Sequence, residues 1–174
     1  VFTTLSALAA STERIDLGPL VASTSFHSPQ MLAKLATTVD AVSGGRLVLG
    51  LGAGWNQREY DAYGFAYDHR VSRFEEAFTI IRTLLREGEI DFHGTYYSAD
   101  RCVLHPRSSP RGPRLMVGSI APRMQAITLP HVDAWNVWWS EFGNTAEGFA
   151  EIKASVDARL AALGRTGMVE ATCA

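Results

Sequence analysis

The sequence lacks the features that define several classes of protein. It contains two cysteines in 174 residues, Cys102 and Cys173, which are too few and too widely separated for a disulfide framework or a cysteine-based metal site. A cytoplasmic location is therefore expected. The sequence also has no apolar run of the roughly 18 residues that a membrane-spanning helix needs, so no membrane partner is expected.

The charges show no excess of one sign. Sixteen lysines and arginines against eighteen aspartates and glutamates leave a formal net charge of −2, which offers no basic surplus for binding nucleic acid. With 47% hydrophobic and 20% charged residues, the composition is that of an ordinary folded domain rather than a disordered chain. Because the first residue is Val1 and not Met, and 168–174 stop within a strand-like pattern, we expect one domain, 1–174, truncated at both ends.

Short apolar runs alternate with segments of helical spacing along most of the chain. The predicted strands lie at 15–22, 46–52, 115–118, 133–138 and 168–173. The predicted helices lie at 29–43, 72–87, 122–130 and 146–163. This order predicts an α/β fold with parallel strands. A TIM (β/α)8 barrel takes about 250 residues, so five strands indicate an incomplete barrel, with a complete doubly wound sheet as the alternative.

The segment 53–113 departs from this alternation and is expected to be an insertion. Ser72 and Glu75 match a capping box, which predicts that a helix begins there. The polar face of that helix is interpreted as solvated and carries Arg73, Glu76, Arg82 and Arg86. A hairpin around Gly94 is predicted at 92–98.

Glycines follow the second predicted strand in the sequence GLGAGW. Gly52 and Gly54 lie at its carboxyl end, where α/β proteins build their binding sites. Glycines there allow backbone amides to approach a ligand closely. The pattern is not a dinucleotide fingerprint, because no helix follows at once and no acidic residue lies at the expected distance. A tight turn after a buried strand is the alternative interpretation.

A similar arrangement follows the next two strands. Gly118 and Ser119 end the third strand, just before a helix whose free amides favour a phosphate group. The alternative is that Ser119 only caps that helix. Asn136 brings an amide side chain to the end of the fourth strand, where it needs either a hydrogen-bonded neighbour or a ligand.

Other types of site are not indicated. The five histidines show no metal-ligand spacing, so no metal is predicted and they are interpreted as surface or loop residues. His27 follows a predicted strand end, where a catalytic or ligand-contacting role is the alternative. No Gly-x-Ser-x-Gly elbow is present, which removes the main signature of serine hydrolases.

Several blocks of the sequence resemble one known family. SGGRLVLGLGAGWNQREYDAYGF, RFEEAFTIIRTLL, FHGTYY, PRLMVGSIAPRM and VDAWN follow one another in the order found in the bacterial luciferase-like monooxygenase superfamily. The chain is most similar to its coenzyme F420-dependent oxidoreductases, over about residues 5–164. The resemblance implies a TIM barrel with an insertion and a cofactor at the carboxyl end of the barrel.

The resemblance also implies roles for particular residues. The segment Gly52, Ala53 and Gly54 would line the ribityl-phosphate side of the cofactor. A cis non-proline peptide between Leu20 and Val21 would lie beneath the ring.

On the later strands, Gly118 and Ser119 would present amides to the phosphate, and Asn136 would lie near the ring or the substrate. The strands that usually supply acid–base residues precede Val1 in this resemblance, so no catalytic residue is assigned.

The implied function is hydride transfer with coenzyme F420 on a small organic substrate. An FMN-dependent monooxygenase that uses molecular oxygen is the nearest alternative. An alternative of another class is a non-catalytic fragment or binding module, whose open sheet edges would need a partner. The full-length protein is expected to form a homodimer.

Overall fold

The computed structural model describes residues 1–174, which divide into two compact units, Val1–Pro113 and Arg114–Ala174. The helices are α1 (Phe2–Ser11), α2 (Pro29–Ser43), α3 (Gln57–Tyr63), α4 (Arg70–Glu87), α5 (Pro122–Thr128) and α6 (Ala146–Ala162). The strands are β1 (Ala22–Ser23), β2 (Val48–Gly52), β3 (Glu89–His93), β4 (Ser98–Val103), β5 (Arg114–Gly118), β6 (Ala134–Val137) and β7 (Glu170–Cys173). Each unit combines helices with parallel strands, which confirms the predicted α/β class.

Helix α2 shows why local signals predicted it well. The Ser28 hydroxyl accepts a hydrogen bond from the amide of Met31, and Pro29 occupies the first turn, where it costs no hydrogen bond. Gly44 ends the helix in the left-handed conformation, with φ of 69°. The buried side of the helix packs Leu32, Ala33, Ala36 and Val39 into the core of the first unit.

The remainder of that core comes from β2 and α4. Four of the five residues of β2 are buried, as expected for a strand covered on both faces. Helix α4 buries one apolar stripe, on which the rings of Phe74 and Phe78 stack with their centroids 5.6 Å apart. The helix ends at Gly88, as predicted.

The strand predicted at 15–22 is mostly wrong. Only an isolated bridge from Leu17 to Leu47 and the two residues of β1 pair with the neighbouring strand. Within this segment Gly18 lies where the two backbones approach closely, since an added Cβ would lie 2.1 Å from the carbonyl oxygen of Val48. The sequence analysis also missed α1, which has no side-chain cap.

Arg46 ties the end of α1 to the strand that follows α2. Its guanidinium donates to the carbonyl oxygens of Ala9, Thr12 and Ile15 at 3.0, 2.7 and 2.7 Å. These are carbonyls that the helix end and the following loop leave without backbone partners.

The start of α4 also differs from the prediction. The helix begins at Arg70, after His69 in a left-handed conformation with φ of 51°. Ser72 and Glu75 therefore lie inside the helix and do not form a capping box. Helix α3 was not predicted, and it occupies part of the segment that the sequence analysis left without structure.

The predicted hairpin is present and is longer than expected, because β3 and β4 pair antiparallel over 89–103. Its turn lies against the polar face of α4. Glu76 accepts hydrogen bonds from the amides of Thr95, Tyr96 and Tyr97 at 2.8, 2.8 and 2.9 Å. The interpretation of this face as solvated is therefore wrong at Glu76. Burial raises the pKa of Tyr97, and the nearby Arg73 offsets part of that effect.

The second unit consists of β5, β6 and β7 in parallel order with α5 and α6. Asp133 accepts a hydrogen bond from the amide of Leu115 at 2.8 Å, which ties the start of β5 to the residue before β6. Helix α6 begins after Thr145, whose hydroxyl accepts from the amide of Gly148.

Two findings concern the membrane-spanning and disulfide-bonded classes considered in the sequence analysis. No helix in the structure combines the length and apolar character that crossing a bilayer requires. Both cysteines are free thiols.

Candidate functional site

The structure brings together five residues of the predicted site in the first unit. Strands β1 and β2 run parallel, with Ser23 opposite Gly52. The peptide between Leu20 and Val21 is cis, as the resemblance implies. The Val21 side chain lies against Gly52, where an added Cβ would be 2.7 Å from its Cγ2 atom. The Leu20–Val21 peptide, which directly precedes β1, therefore lies beside the carboxyl end of β2, where the turn 52–54 begins.

Two of these residues expose apolar surface at the strand ends. Leu20 is 53% exposed and Val21 is 36% exposed, although both adjoin a buried strand. Trp55, directly after the glycine turn, is 76% exposed. Exposed apolar side chains beside a backbone turn suit a ligand that has a flat ring and a polar tail.

The glycine turn has a defined conformation. Gly54 adopts φ of 74°, and a Cβ there would lie 2.2 Å from the Tyr60 hydroxyl and 2.7 Å from the Ser23 hydroxyl. Both the backbone conformation and the available space therefore require glycine. The Tyr60 hydroxyl donates to the carbonyl of Ala53 at 2.6 Å and lies 3.1 Å from the Ser23 hydroxyl, so one buried phenol joins both strand ends.

The second unit gathers the other predicted residues. Gly118 lies opposite Asn136 in the parallel pairing of β5 with β6. The Trp135 indole donates to the carbonyl of Ser119 at 2.8 Å, and the Ser119 hydroxyl accepts from the amide of Ala121. The serine hydroxyl therefore supports the turn before α5, but it does not cap the helix, whose N-cap residue is Ala121 and which has no side-chain cap.

Asn136 already has a hydrogen-bonded neighbour. It is buried, with 6% exposure, and its Nδ2 atom donates to the Thr172 hydroxyl at 2.9 Å. Thr172 in turn donates to the carbonyl of Trp135. The neighbour that an amide at this position needs is thus supplied by β7, and a ligand contact by Asn136 stays a prediction.

His27, which the sequence analysis considered, packs against a neighbouring ring, and two tryptophans near β6 differ in burial. The His27 ring lies edge-on to Phe2 at 5.9 Å, with its Nδ1 atom 3.3 Å from the carbonyl of Ser23. Trp135 is fully buried, whereas Trp138 is half-exposed.

Sequence reasoning missed the side chains that hold the glycine turn. Tyr60 lies in the unpredicted helix α3, and Arg70 donates to the carbonyl of Gly54 at 2.7 Å. The one signal in the sequence is that Tyr60 belongs to the block GAGWNQREY, on which the family resemblance depends.

One group of metal-ligand side chains lies on the β3–β4 hairpin. Asp91, His93 and Asp100 offer ligand atoms within 4.8 Å of one another. Spacing analysis did not find the group because its members come from two paired strands. All three residues are exposed, and Arg101 lies 3.5 Å from the Asp100 carboxylate, so the group supports no assignment.

The model of the luciferase-like monooxygenase family matches residues 1–173. The chain belongs to this family. Curated relatives include the pyrimidine monooxygenase RutA of Caulobacter vibrioides, which is 29% identical over 94% of this chain and 47% of the relative. RutA of Klebsiella pneumoniae is 32% identical over 86% of this chain and 42% of the relative. The chain thus spans about half the length of the curated relatives that it matches.

Solved structures show the same fold. Monooxygenase RslO1 from Streptomyces bottropensis matches with a TM-score of 0.84 and 24% identity, over 98% of this chain and 53% of that one. The coenzyme F420-dependent tetrahydromethanopterin reductase from Methanopyrus kandleri matches with a TM-score of 0.82 and 20% identity, over 99% and 53%. The predicted fold, part of a luciferase-like TIM barrel, is confirmed.

Proposed function

We propose that this chain is the cofactor-holding part of a flavin- or deazaflavin-dependent oxidoreductase that acts on a small organic molecule. The observation that carries the proposal is that Leu20 and Val21, directly before β1, lie beside the glycine turn 52–54 at the end of β2. Family membership supports the same class of chemistry, because the curated relatives are named monooxygenases.

The residues of the first unit fit such a cofactor. No carboxylate occurs among Leu20, Val21 and 52–54, and Arg70 places a positive charge 2.7 Å from the carbonyl of Gly54. An anionic tail is therefore not repelled by this group. The hydroxyl of Thr24, directly after β1, is buried without a hydrogen-bond partner in the protein.

In this proposal the residues of the site bind and orient the cofactor. The backbone of 52–54 would hold the ribityl-phosphate portion, and Leu20 and Val21 would support the ring. Gly118 and Ser119 would offer backbone amides to the phosphate, with Asn136 near the ring or the substrate. The cofactor itself supplies hydride transfer or oxygen chemistry when bound.

Two cofactors are candidates. The names of the curated relatives, at 29% and 32% identity, favour a monooxygenase, for which FMN with molecular oxygen is the candidate that the family resemblance offers. The motif blocks favour coenzyme F420 and hydride transfer. Two coenzyme F420-dependent enzymes are also similar in structure, at 20% and 16% identity, a level that speaks for the fold alone.

Anaerobic titration of the chain with FMN and with coenzyme F420, each oxidised and reduced, tests the proposal and separates the two cofactors. Saturable binding of one of them, followed by its absorbance, is the expected result. A matched pair of variants locates the site. Gly54 and Gly64 have nearly equal φ values of 74° and 73°, but an added Cβ meets no atom within 4 Å at Gly64.

Gly54→Ala is therefore expected to weaken binding at least tenfold relative to Gly64→Ala, since only Gly54 belongs to the proposed site. Absence of saturable binding to either cofactor would contradict the proposal. The alternative of a binding module fails if the chain is a monomer that unfolds in one sharp cooperative transition. Homodimerisation of the full-length protein and its cytoplasmic location stay predictions.

A further inference from the structure

The backbone carbonyls of Ala53, Gly54 and Trp55, in and directly after the glycine turn, each accept a hydrogen bond from a different side chain. The donors all come from the segment 60–70, which runs from the second half of α3 to the first residue of α4. The pairs are Tyr60 with Ala53 at 2.6 Å, Arg70 with Gly54 at 2.7 Å, and Tyr67 with Trp55 at 3.2 Å.

These bonds fix the direction of the amides that follow. The peptides of 53–56 are trans, and in a trans peptide the carbonyl and the next N–H point in opposite directions. The amides of Gly54, Trp55 and Asn56 therefore face away from the three donors. Within the first unit, the N–H groups of Gly54 and Trp55 form no hydrogen bond. Successive backbone amides presented in this way form a concavity that binds anions.

The three donor side chains also hold one another in place. The Tyr60 ring is fully buried, with its centroid 4.8 Å from that of Phe26 and 5.2 Å from that of Tyr67. The Arg70 guanidinium lies over the Tyr67 ring, 4.2 Å from its centroid. A cation above an aromatic face is attracted to it, so Arg70 and Tyr67 support each other's position.

The hydrogen bonds of Tyr60 also extend to Ser23 on β1. The Tyr60 hydroxyl gives its single proton to Ala53, so the Ser23 hydroxyl donates to Tyr60. Ser23 follows the Leu20–Val21 peptide on β1. One phenol thus couples the ring-side residues to the turn.

We propose that Tyr60, Tyr67 and Arg70 are positioning residues that aim the amides of 54–56 at the phosphate of the bound cofactor. This inference rests on the proposed function. A side chain that only stabilised the fold would affect ligands with and without a phosphate equally. A positioning residue affects the phosphorylated ligand selectively.

The test measures the affinity of the chain for FMN and riboflavin, and for coenzyme F420 and its dephosphorylated form. The variants are Tyr60→Phe, Tyr67→Phe and Arg70→Gln. Tyr63→Phe is the matched control, because Tyr63 ends the same short helix and is 74% exposed. Each lost hydrogen bond is expected to weaken binding of the phosphorylated ligand about 5- to 10-fold and to leave its phosphate-free partner nearly unchanged.

Amide spectra of the ligand-free variants test the orientation of the amides independently of cofactor binding. The 1H–15N signals of Gly54, Trp55 and Asn56 are expected to shift in the three variants and not in Tyr63→Phe. Unchanged signals, or an equal loss of affinity for both ligands of a pair, would overturn the inference. If the signals shift in the three variants but the wild-type chain binds no cofactor, the proposed function is refuted and the positioning of the amides is supported.

Discussion

Glu76 is expected to be the main attachment of the β3–β4 hairpin to α4. Its carboxylate accepts three backbone amides, from Thr95, Tyr96 and Tyr97, at 2.8, 2.8 and 2.9 Å. A carboxylate that accepts successive amides is a charge-assisted acceptor, stronger than a neutral one. The change to test is Glu76→Ala, with Glu76→Gln as the isosteric companion.

The magnitude follows from the number of bonds and their exposure. A hydrogen bond to a charged group contributes about 1.5–3 kcal/mol, but three bonds to one half-buried carboxylate are not additive, and water replaces part of what is lost. Glu76→Ala is therefore expected to lower the free energy of unfolding by about 2–4 kcal/mol. Glu76→Gln is also destabilising, because its amide group turns a donor toward backbone donors.

Urea unfolding followed by circular dichroism measures this effect. Glu87→Gln, on the same helix and exposed, is the matched control. Hydrogen exchange at Thr95–Tyr97 is expected to accelerate in the Glu76 variants and not in the control. If Glu76→Ala is no less stable than Glu87→Gln, the carboxylate does not hold the hairpin and the reasoning fails.

Two further predictions concern other parts of the chain. Trp135→Phe removes the indole donor to the carbonyl of Ser119. Urea unfolding is expected to show a free energy of unfolding about 1–2 kcal/mol lower than in the wild type. A change near zero would show that water replaces this bond. For Tyr97, burial raises the pKa above its ordinary value of about 10. The neutral phenol therefore stabilises the fold below that pH, and this stability is lost as the pH rises through the raised pKa. Tyr97→Phe is expected to reduce this alkaline loss of stability, which unfolding midpoints between about pH 8 and pH 11 would measure; an identical pH profile in both proteins would contradict the assignment.

The elements predicted correctly from the sequence are those specified by local chemistry. Helix α2 has a serine cap, an early proline and a terminal glycine, and each acts within a few residues. Strand β2 was predicted because a strand buried on both faces has an unbroken apolar sequence. Helices α1 and α3 were missed, and neither begins with a side-chain cap. Helix α3 buries only Tyr60 in its seven residues, so it carries no apolar stripe that periodicity could detect.

The site was predictable in its backbone but not in its side-chain partners. Gly52 and Gly54 were recognisable because a turn at a strand end requires residues without side chains. The donors to that turn come from residues up to 16 positions away, and no short pattern encodes such a bond. The same limit explains Asn136, whose partner Thr172 lies 36 residues along the chain.

Hydrogen–deuterium exchange of the chain with saturating FMN or coenzyme F420 tests the central claim most directly. The account predicts that one of these cofactors slows exchange in peptides covering 50–56 and leaves the hairpin at 89–103 unchanged. Exchange that stays the same at 50–56, or protection confined to the hairpin, would contradict the claim that the turn after β2 holds the cofactor.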